Sequence, residues 1–302
     1  MENQLFRPPL LKKGDKVGIV SMASRVKPEA VLRAKDYLEQ WGLEVVLGKS
    51  FSDVHFNFAG TDETRKKDLQ YMLDDHEIKA IFSSRGGYGV SRILDSLNFY
   101  LFKKSPKWLI GFSDVTVLHN HVNRNLKVET IHAPMAINIP NTPKAVLENL
   151  HQLLTGNKVS YQYPAHFFNR RGKASGELVG GNLSLIHTLA GTPSDLLTKG
   201  KILFLEDLDE YLYHIDRMMM NLKRSGKLQG LKALVIGGMT DMKDNAIPFG
   251  KSAEEIILDA VKEYDYPVAF GISSGHIEHN EPLVMGRKMK LVVGEQTNLI
   301  DK

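Results

Sequence analysis

Short apolar runs and segments of helical period alternate through the first half of the chain. KVGIVSMA (16–23), LEVVLG (43–48), KAIFSS (79–84) and KWLIGF (107–112) have the length and character of strands. PEAVLRAKDYLEQWG (28–42), VSRILDSLN (90–98) and DVTVLHNHVNRN (114–125) place apolar residues at helical spacing, and DETRKKDLQYMLDD (62–75) reads as a polar helix. Gly42 is a natural stop for the first helix, and Thr61 or Asp62 can cap the second. Strand and helix taking turns predicts an α/β fold with a doubly wound, mostly parallel sheet covered on both faces. Such sheets bind ligands beyond the carboxyl ends of their strands, so loops 83–89 and 111–115 are where chemistry is expected.

TPKAVLENLHQLLTG (142–156) adds a last helix to this half. KVSYQYPAHFFNRRGKASGE (158–177) then mixes aromatic, glycine and basic residues without a sustained period. This reads as a first domain over 1–157, a linker over 158–175 and a smaller α/β C-terminal domain over 176–302. The second domain has strand-like runs at 201–207, 232–239, 268–273 and 288–294, and helical segments at 182–191, 211–226 and 251–264. There is no internal repeat and no low-complexity tract.

Composition narrows the class. The net charge of +4 is small for 302 residues and is not gathered into a stripe, which argues against nucleic acid as a partner. With no cysteine, disulfides, thiol catalysis and cysteine-based zinc sites are excluded. No apolar run reaches the length of a signal peptide core or a membrane span, so a soluble, cytoplasmic protein with no membrane partner is expected.

SSRGGYG (83–89) lies between a strand and a helix. Its glycines let backbone N–H groups approach a ligand closely, as a phosphate cradle or an oxyanion hole requires, though a plain tight turn uses the same residues. It is not G-x-G-x-x-G and no P-loop lysine follows, which weakens the nucleotide reading. In GFSD (111–114), Ser113 stands at a strand-to-helix turn like a hydrolase nucleophile, but Ser and Asp are also ordinary helix caps. GISSG (271–275) matches G-x-S-x-G literally, yet HIEHNEPLVMG follows Ser273 with no helical period, so the elbow context is missing. FLEDLDEYLYHID (204–216) offers Glu206, Asp207, Asp209 and Glu210 at the end of a strand, and GHIEHN (275–280) offers His276 and His279 as bases. The two histidines with Glu278 could also belong to a metal site, but no HExxH helix supports one. The Met218–Met220 run reads as core filling.

Taken together, PPLLKKGDKVGIVS (8–21), FAGTDETRKKDLQYMLDDHEIKAIFSSRGGYGVSRIL (58–94), IGFSDVTVLH (110–119), GELVGGNLSLI (176–186), LFLEDLDEYLYHIDRMM (203–219) and GHIEHNEPLVMG (275–286) resemble the LD-carboxypeptidases, serine peptidases that trim murein peptides, with the microcin C immunity peptidases as relatives. The resemblance spans nearly the whole chain, and its R-G-G-Y-G and G-F-S-D blocks are specific. It implies Ser113 as nucleophile, Glu206 as triad acid and His276 as base, leaving His279 out. It also implies backbone amides of Gly87 and Asp114 as the oxyanion hole, an active site between the two domains, and no cofactor or metal. The implied substrate is a small peptide, a murein tetrapeptide that loses its terminal D-alanine. Arg85, with Gly86 beside it, is a candidate for the substrate carboxylate on charge grounds alone. The family further suggests a homodimer, for which this chain shows no interface signature.

Two departures stand out. SMASR (21–25) lacks the Pro-Ser pair expected after the first strand, and the residues after His276 are bulkier and more charged than the family pattern. An aminoacyl or peptidyl nucleotide stays open as the alternative substrate, and a non-enzymatic binding module as the alternative class. The third residue of the stem peptide, diaminopimelate or lysine, is also open.

Overall fold

The structure, a computed structural model, describes residues 5–301. Its elements begin with β1 (Lys16–Val20), α1 (Pro28–Gln40), β2 (Glu44–Leu47), α2 (Asp62–Asp74), β3 (Ile78–Ser83), α3 (Val90–Ile93) and α4 (Tyr100–Lys104). They continue with β4 (Trp108–Gly111), α5 (Thr116–His121), β5 (Thr130–His132), α6 (Lys144–Thr155), β6 (Ser160–Pro164), β7 (Gly172–Asn182) and α7 (Leu183–Thr188). Then come β8 (Ile202–Leu208), α8 (Leu212–Arg224), β9 (Ala233–Thr240), α9 (Ala253–Ala260), β10 (Val268–Ala269), β11 (Leu283–Met285), β12 (Lys288–Val293) and β13 (Gln296–Asp301). The chain divides into two units, one reaching Lys158 and adding Glu281–Val284, the other holding Val159–Asn280 and the residues from Met285 onward.

The first unit is built on a sheet in the order β11-β5-β4-β3-β1-β2, parallel from β2 through β5. Its strands read as continuous apolar runs because both faces are covered. Ile19, Phe82, Trp108 and Ile131 are fully buried, as are Leu38 of α1, Leu69 and Met72 of α2 and Leu150 of α6. Each such side chain contributes about 1.5–3 kcal/mol by leaving water. Thr61 caps α2 by accepting the Thr64 amide at 3.2 Å. From β1 the chain goes one way to β2 and the other way to β3, so the carboxyl ends of β1 and β3 flank the point where strand order reverses. Loops 21–25 and 84–89 leave from there.

The second unit has a mixed sheet, β10-β9-β8-β7-β12-β13-β6. The β7 to β10 half is parallel, and β7, β12, β13 and β6 are antiparallel. Leu203, Leu205, Leu234 and Ile236 of its central strands pack with Ile215, Met219 and Leu222 of α8 and Ile256 and Ile257 of α9. Within the methionine run, Met218 and Met219 fill this core and Met220 faces solvent.

Local differences from the sequence reading have physical causes. Residues 158–175, read as a linker, hold β6 and the first residues of β7. Tyr161 and Tyr163 point inward from an antiparallel ladder with β13, a five-residue alternation too short to stand out, and β7 is masked by its glycines. The segment at 268–273 stays a strand only to Ala269, because the Phe270 amide donates to the Asn169 side chain at 2.8 Å instead of continuing the ladder. The helix expected over 114–125 breaks into a 3₁₀ turn at Ser113–Val115, α5, and a π turn at Val122–Leu126. Side-chain amides compete with the helix there: Asn120 donates to the Thr116 carbonyl and Asn123 to the Val128 carbonyl. No helix among the described residues is long and apolar enough to cross a membrane.

Candidate active site

At the carboxyl end of β4 the chain turns sharply into helix. Ser113 sits in the left-handed region, φ +61°, right at the turn. A non-glycine residue pays about 1–3 kcal/mol for that conformation, a strain that concentrates at functional turns. Ser113 is not a cap, since neither the 3₁₀ turn it starts nor α5 has a side-chain capping bond. Behind the elbow, His119 holds the Gly111 carbonyl at 2.8 Å. Burial pushes its imidazole down to about 4, so the ring is neutral and donates through Nε2–H.

The R-G-G-Y-G loop lies against this elbow. A Cβ on Gly86 would stand 2.8 Å from the Ser113 Cβ and 2.9 Å from its Oγ, so only a glycine admits the hydroxyl there. Gly87, at φ +105°, lies over Ser24, whose hydroxyl a side chain at 87 would overlap. Ser24 lies in the SMASR segment that lacks the expected Pro-Ser pair: its amide donates to the Gly86 carbonyl at 3.3 Å and its hydroxyl accepts the Tyr88 amide at 3.4 Å. Among the described residues the Gly87 amide has no backbone acceptor. Arg85 is exposed and donates to the Arg25 carbonyl at 3.1 Å. The Asp114 carboxylate, fully buried, accepts the Val90 amide at 2.8 Å, and burial pushes it up to about 6.

In the second unit, Glu206 and His276 meet. The fully buried Glu206 uses Oε2 to accept the His276 backbone amide at 3.1 Å and the His276 Nδ1 at 2.7 Å. A proton on Nδ1 leaves Nε2 as the basic nitrogen of the ring. The approach depends on Gly275, φ +113°, where a Cβ would come within 2.7 Å of the Glu206 carboxylate. Register along β8 and β9 shifts between Leu205 and Asp207, leaving Glu206 opposite Gly237 and Gly238. Such bulges re-aim a side chain. The His276 loop rests on those two glycines: the Gly238 amide donates to the Ser274 carbonyl at 3.0 Å, and Thr240 Oγ1 donates to the His276 carbonyl at 3.0 Å. Asn280 closes the loop by accepting the Gly275 amide at 2.8 Å.

The remaining acids have other work. Asp207 points to the opposite face of β8 and accepts from Asn182 Nδ2, the Ser184 amide and its neighbour's amide. Burial and the nearby Glu206 charge nevertheless push it up to about 7. Asp209 pairs with Lys243 at 2.7 Å, and Glu210 with His214 at 2.8 Å. His279 is exposed, and Ser273 stands before the His276 loop with no helix after it. Gly237, Gly238, Asn280, the Asp114 carboxylate and Arg65 were not singled out from sequence. Only the paired glycines inside the 232–239 strand run carried a signal, since glycine in a strand marks a bulge or a close approach.

Residues 17–133 match the model of the LD-carboxypeptidase N-terminal domain, and 175–291 that of the LD-carboxypeptidase C-terminal domain. A Bacillus subtilis (strain 168) protein named "Probable murein peptide carboxypeptidase" is 34% identical over 98% of this chain and 94% of its own length. The chain belongs to the LD-carboxypeptidase family. As a member it is a serine-type hydrolase of the carboxypeptidase class. The crystal structure of a muramoyltetrapeptide carboxypeptidase from Oxalobacter formigenes superposes with a TM-score of 0.86 at 27% identity, over 95% of this chain and 99% of that one. The microcin C7 self immunity protein, also at TM-score 0.86 but 21% identical, covers 99% of this chain and 98% of its own and shares the LD-carboxypeptidase fold.

Proposed function

We propose that this LD-carboxypeptidase removes the terminal D-alanine of murein tetrapeptides by covalent serine catalysis. Ser113 is the nucleophile, His276 the general base and Glu206 the acid that orients it. The observation that carries the reading is the buried Glu206 carboxylate bonded to His276 Nδ1 at 2.7 Å. Burying a carboxylate is costly unless it is paired, and this one is placed to fix an imidazole tautomer and stabilise its charged form. The left-handed Ser113 supports the partner role, since hydrolase nucleophiles are raised on such turns.

In this reading His276 Nε2 takes the Ser113 proton as Oγ bonds to the carbonyl carbon of the scissile amide. The Gly87 and Asp114 amides hold the negative oxygen that develops, each such donor contributing about 3–4 kcal/mol to the transition state. His276 returns the proton to the D-alanine nitrogen as the C–N bond breaks. Water, activated by the same ring, then releases the acyl group from Ser113. Arg85 is proposed to receive the substrate's free carboxylate, with the Gly86 backbone lining its path. No step needs a metal or cofactor.

The test is mass spectrometry of L-Ala–D-Glu–meso-diaminopimelate–D-Ala after incubation with the protein and with Ser113→Ala. Loss of one D-alanine with the wild type alone is expected. An unchanged tetrapeptide, with turnover of a lysine-type stem peptide or an aminoacyl nucleotide instead, would move the substrate and keep the triad.

A further inference from the structure

Two buried charges next to the elbow take no part in the proton transfers above. Arg65 of α2 is fully buried, and its ion-pair partner Asp62 is partly exposed and shared with Arg92. Its remaining bonds go to loop backbone: Nη1 donates to the Met22 carbonyl at 2.8 Å and the Gly89 carbonyl at 3.0 Å. Asp114 is equally buried and takes the Val90 amide. The Gly89 carbonyl and the Val90 amide are the two ends of one peptide group. A cation therefore holds its oxygen and an anion its nitrogen, both in line with the peptide dipole.

We propose that Arg65 and Asp114 form a clamp on the Gly89–Val90 peptide that sets where the R-G-G-Y-G loop presents Gly86 and Gly87 to Ser113. Through Met22, Arg65 fixes the β1 loop that carries Ser24, on which Gly87 lies. Asp114 adjoins Ser113 in the chain, so the loops leaving β1, β3 and β4 meet in one polar knot. Its cost argues for a function. Arg65 Nε and Asp114 Oδ1 are buried without hydrogen-bond partners, and apolar residues would hold the same elements together more cheaply. Arg65 and the Asp114 carboxylate are positioning groups: these side chains touch the loop, whereas the part Asp114 plays at the reacting atoms belongs to its backbone amide.

The clamp's effect on rate rests on the reading of Gly87 as an oxyanion donor, so the test has two readouts. Asp114→Ala is expected to lower kcat on murein tetrapeptide about 10²-fold with KM within about twofold, the cost of a misplaced catalytic group. Asp114→Asn keeps an acceptor for Val90 and is expected to restore most of kcat. Hydrogen exchange at the Val90 amide should speed up in Asp114→Ala and stay slow in Asp114→Asn. A wild-type kcat in Asp114→Ala, or a raised KM with unchanged kcat, overturns the proposal. Should that variant not fold, Arg65→Lys keeps the charge but leaves one nitrogen to serve the two carbonyls and Asp62, which Nη1 and Nη2 divide between them in the wild type. It should lose about tenfold in kcat, and wild-type turnover would overturn the clamp. If the wild type cleaves no tetrapeptide, the substrate reading fails by itself. Val90 exchange then decides the clamp, and unchanged exchange in Asp114→Ala refutes it.

Discussion

Around Ser113, position comes from the backbone. A left-handed serine and a glycine that admits its hydroxyl set the turn, and the Arg65 and Asp114 side chains act on it only through the Gly89–Val90 peptide. Around His276, position comes from one buried carboxylate that bonds both the ring and the main chain of the same residue. The first arrangement stores conformational strain and the second stores desolvation. They should fail differently: steric change ought to disable the serine unit at constant charge, and charge change ought to disable the histidine unit at constant shape.

Ser113→Ala tests the whole scheme and should reduce kcat by about 10⁴-fold or more, as removal of a covalent nucleophile does. Residual turnover near wild type in a D-alanine release assay would remove Ser113 from the mechanism. Glu206→Gln preserves shape and removes charge, and should cost about 10⁴-fold in kcat by releasing the ring tautomer. Gly86→Ala makes the converse change at the serine. The new methyl pushes on both Cβ and Oγ of Ser113, so about 10²-fold in kcat should be lost with the net charge unchanged. A silent Gly86→Ala beside a disabling Glu206→Gln would mean that close packing does not hold Ser113 in place.

Asp207 gives a pH-dependent comparison within the histidine unit. Its folded-state value is raised from 3.8 to about 7, so the native state binds the extra proton between those limits. Stability should therefore fall as pH rises from about 4 to about 7 and level off above, by an amount on the order of a few kcal/mol. Asp207→Asn should flatten that slope in Tm measured against pH, and a slope that persists would assign it elsewhere. The smallest effect is expected at the capping box of α9, where Ser252 and Glu255 exchange bonds. Ser252→Ala should cost about 1 kcal/mol in urea unfolding with kcat untouched.

The alternation of periods made the first unit legible, because its central strands are short apolar runs and α1 and α6 carry apolar stripes, while the polar α2 was marked by its cap. The second unit was readable in β8, β9, β10 and, on the antiparallel side, in β12. β6 and β13 alternate only briefly and β7 carries four glycines, so composition hides these strands. At the site, the residues offered four strand-end acids and two loop histidines, and the family resemblance singled out Glu206 and His276. The structure pairs these two, and puts His279 at the surface. What could not be read was support: Arg65 looks like any helix-surface arginine in DETRKKD, and its burial follows only from which loops the sheet order brings over α2.

β11 also has a bearing on how the protein is made. It belongs to the sheet of the first unit and pairs beside β5, yet it is encoded about 150 residues later. At ordinary translation speeds a ribosome needs roughly ten to thirty seconds to travel that far. During that interval the nascent first unit carries an open edge at β5, and nearly all of the second unit is synthesised before the strand that seals it. The sheet that carries Ser113 is thus completed only when β12 and β13 of the second unit alone remain to be made, and a gene cut after residue 158 would encode a sheet still missing its final strand.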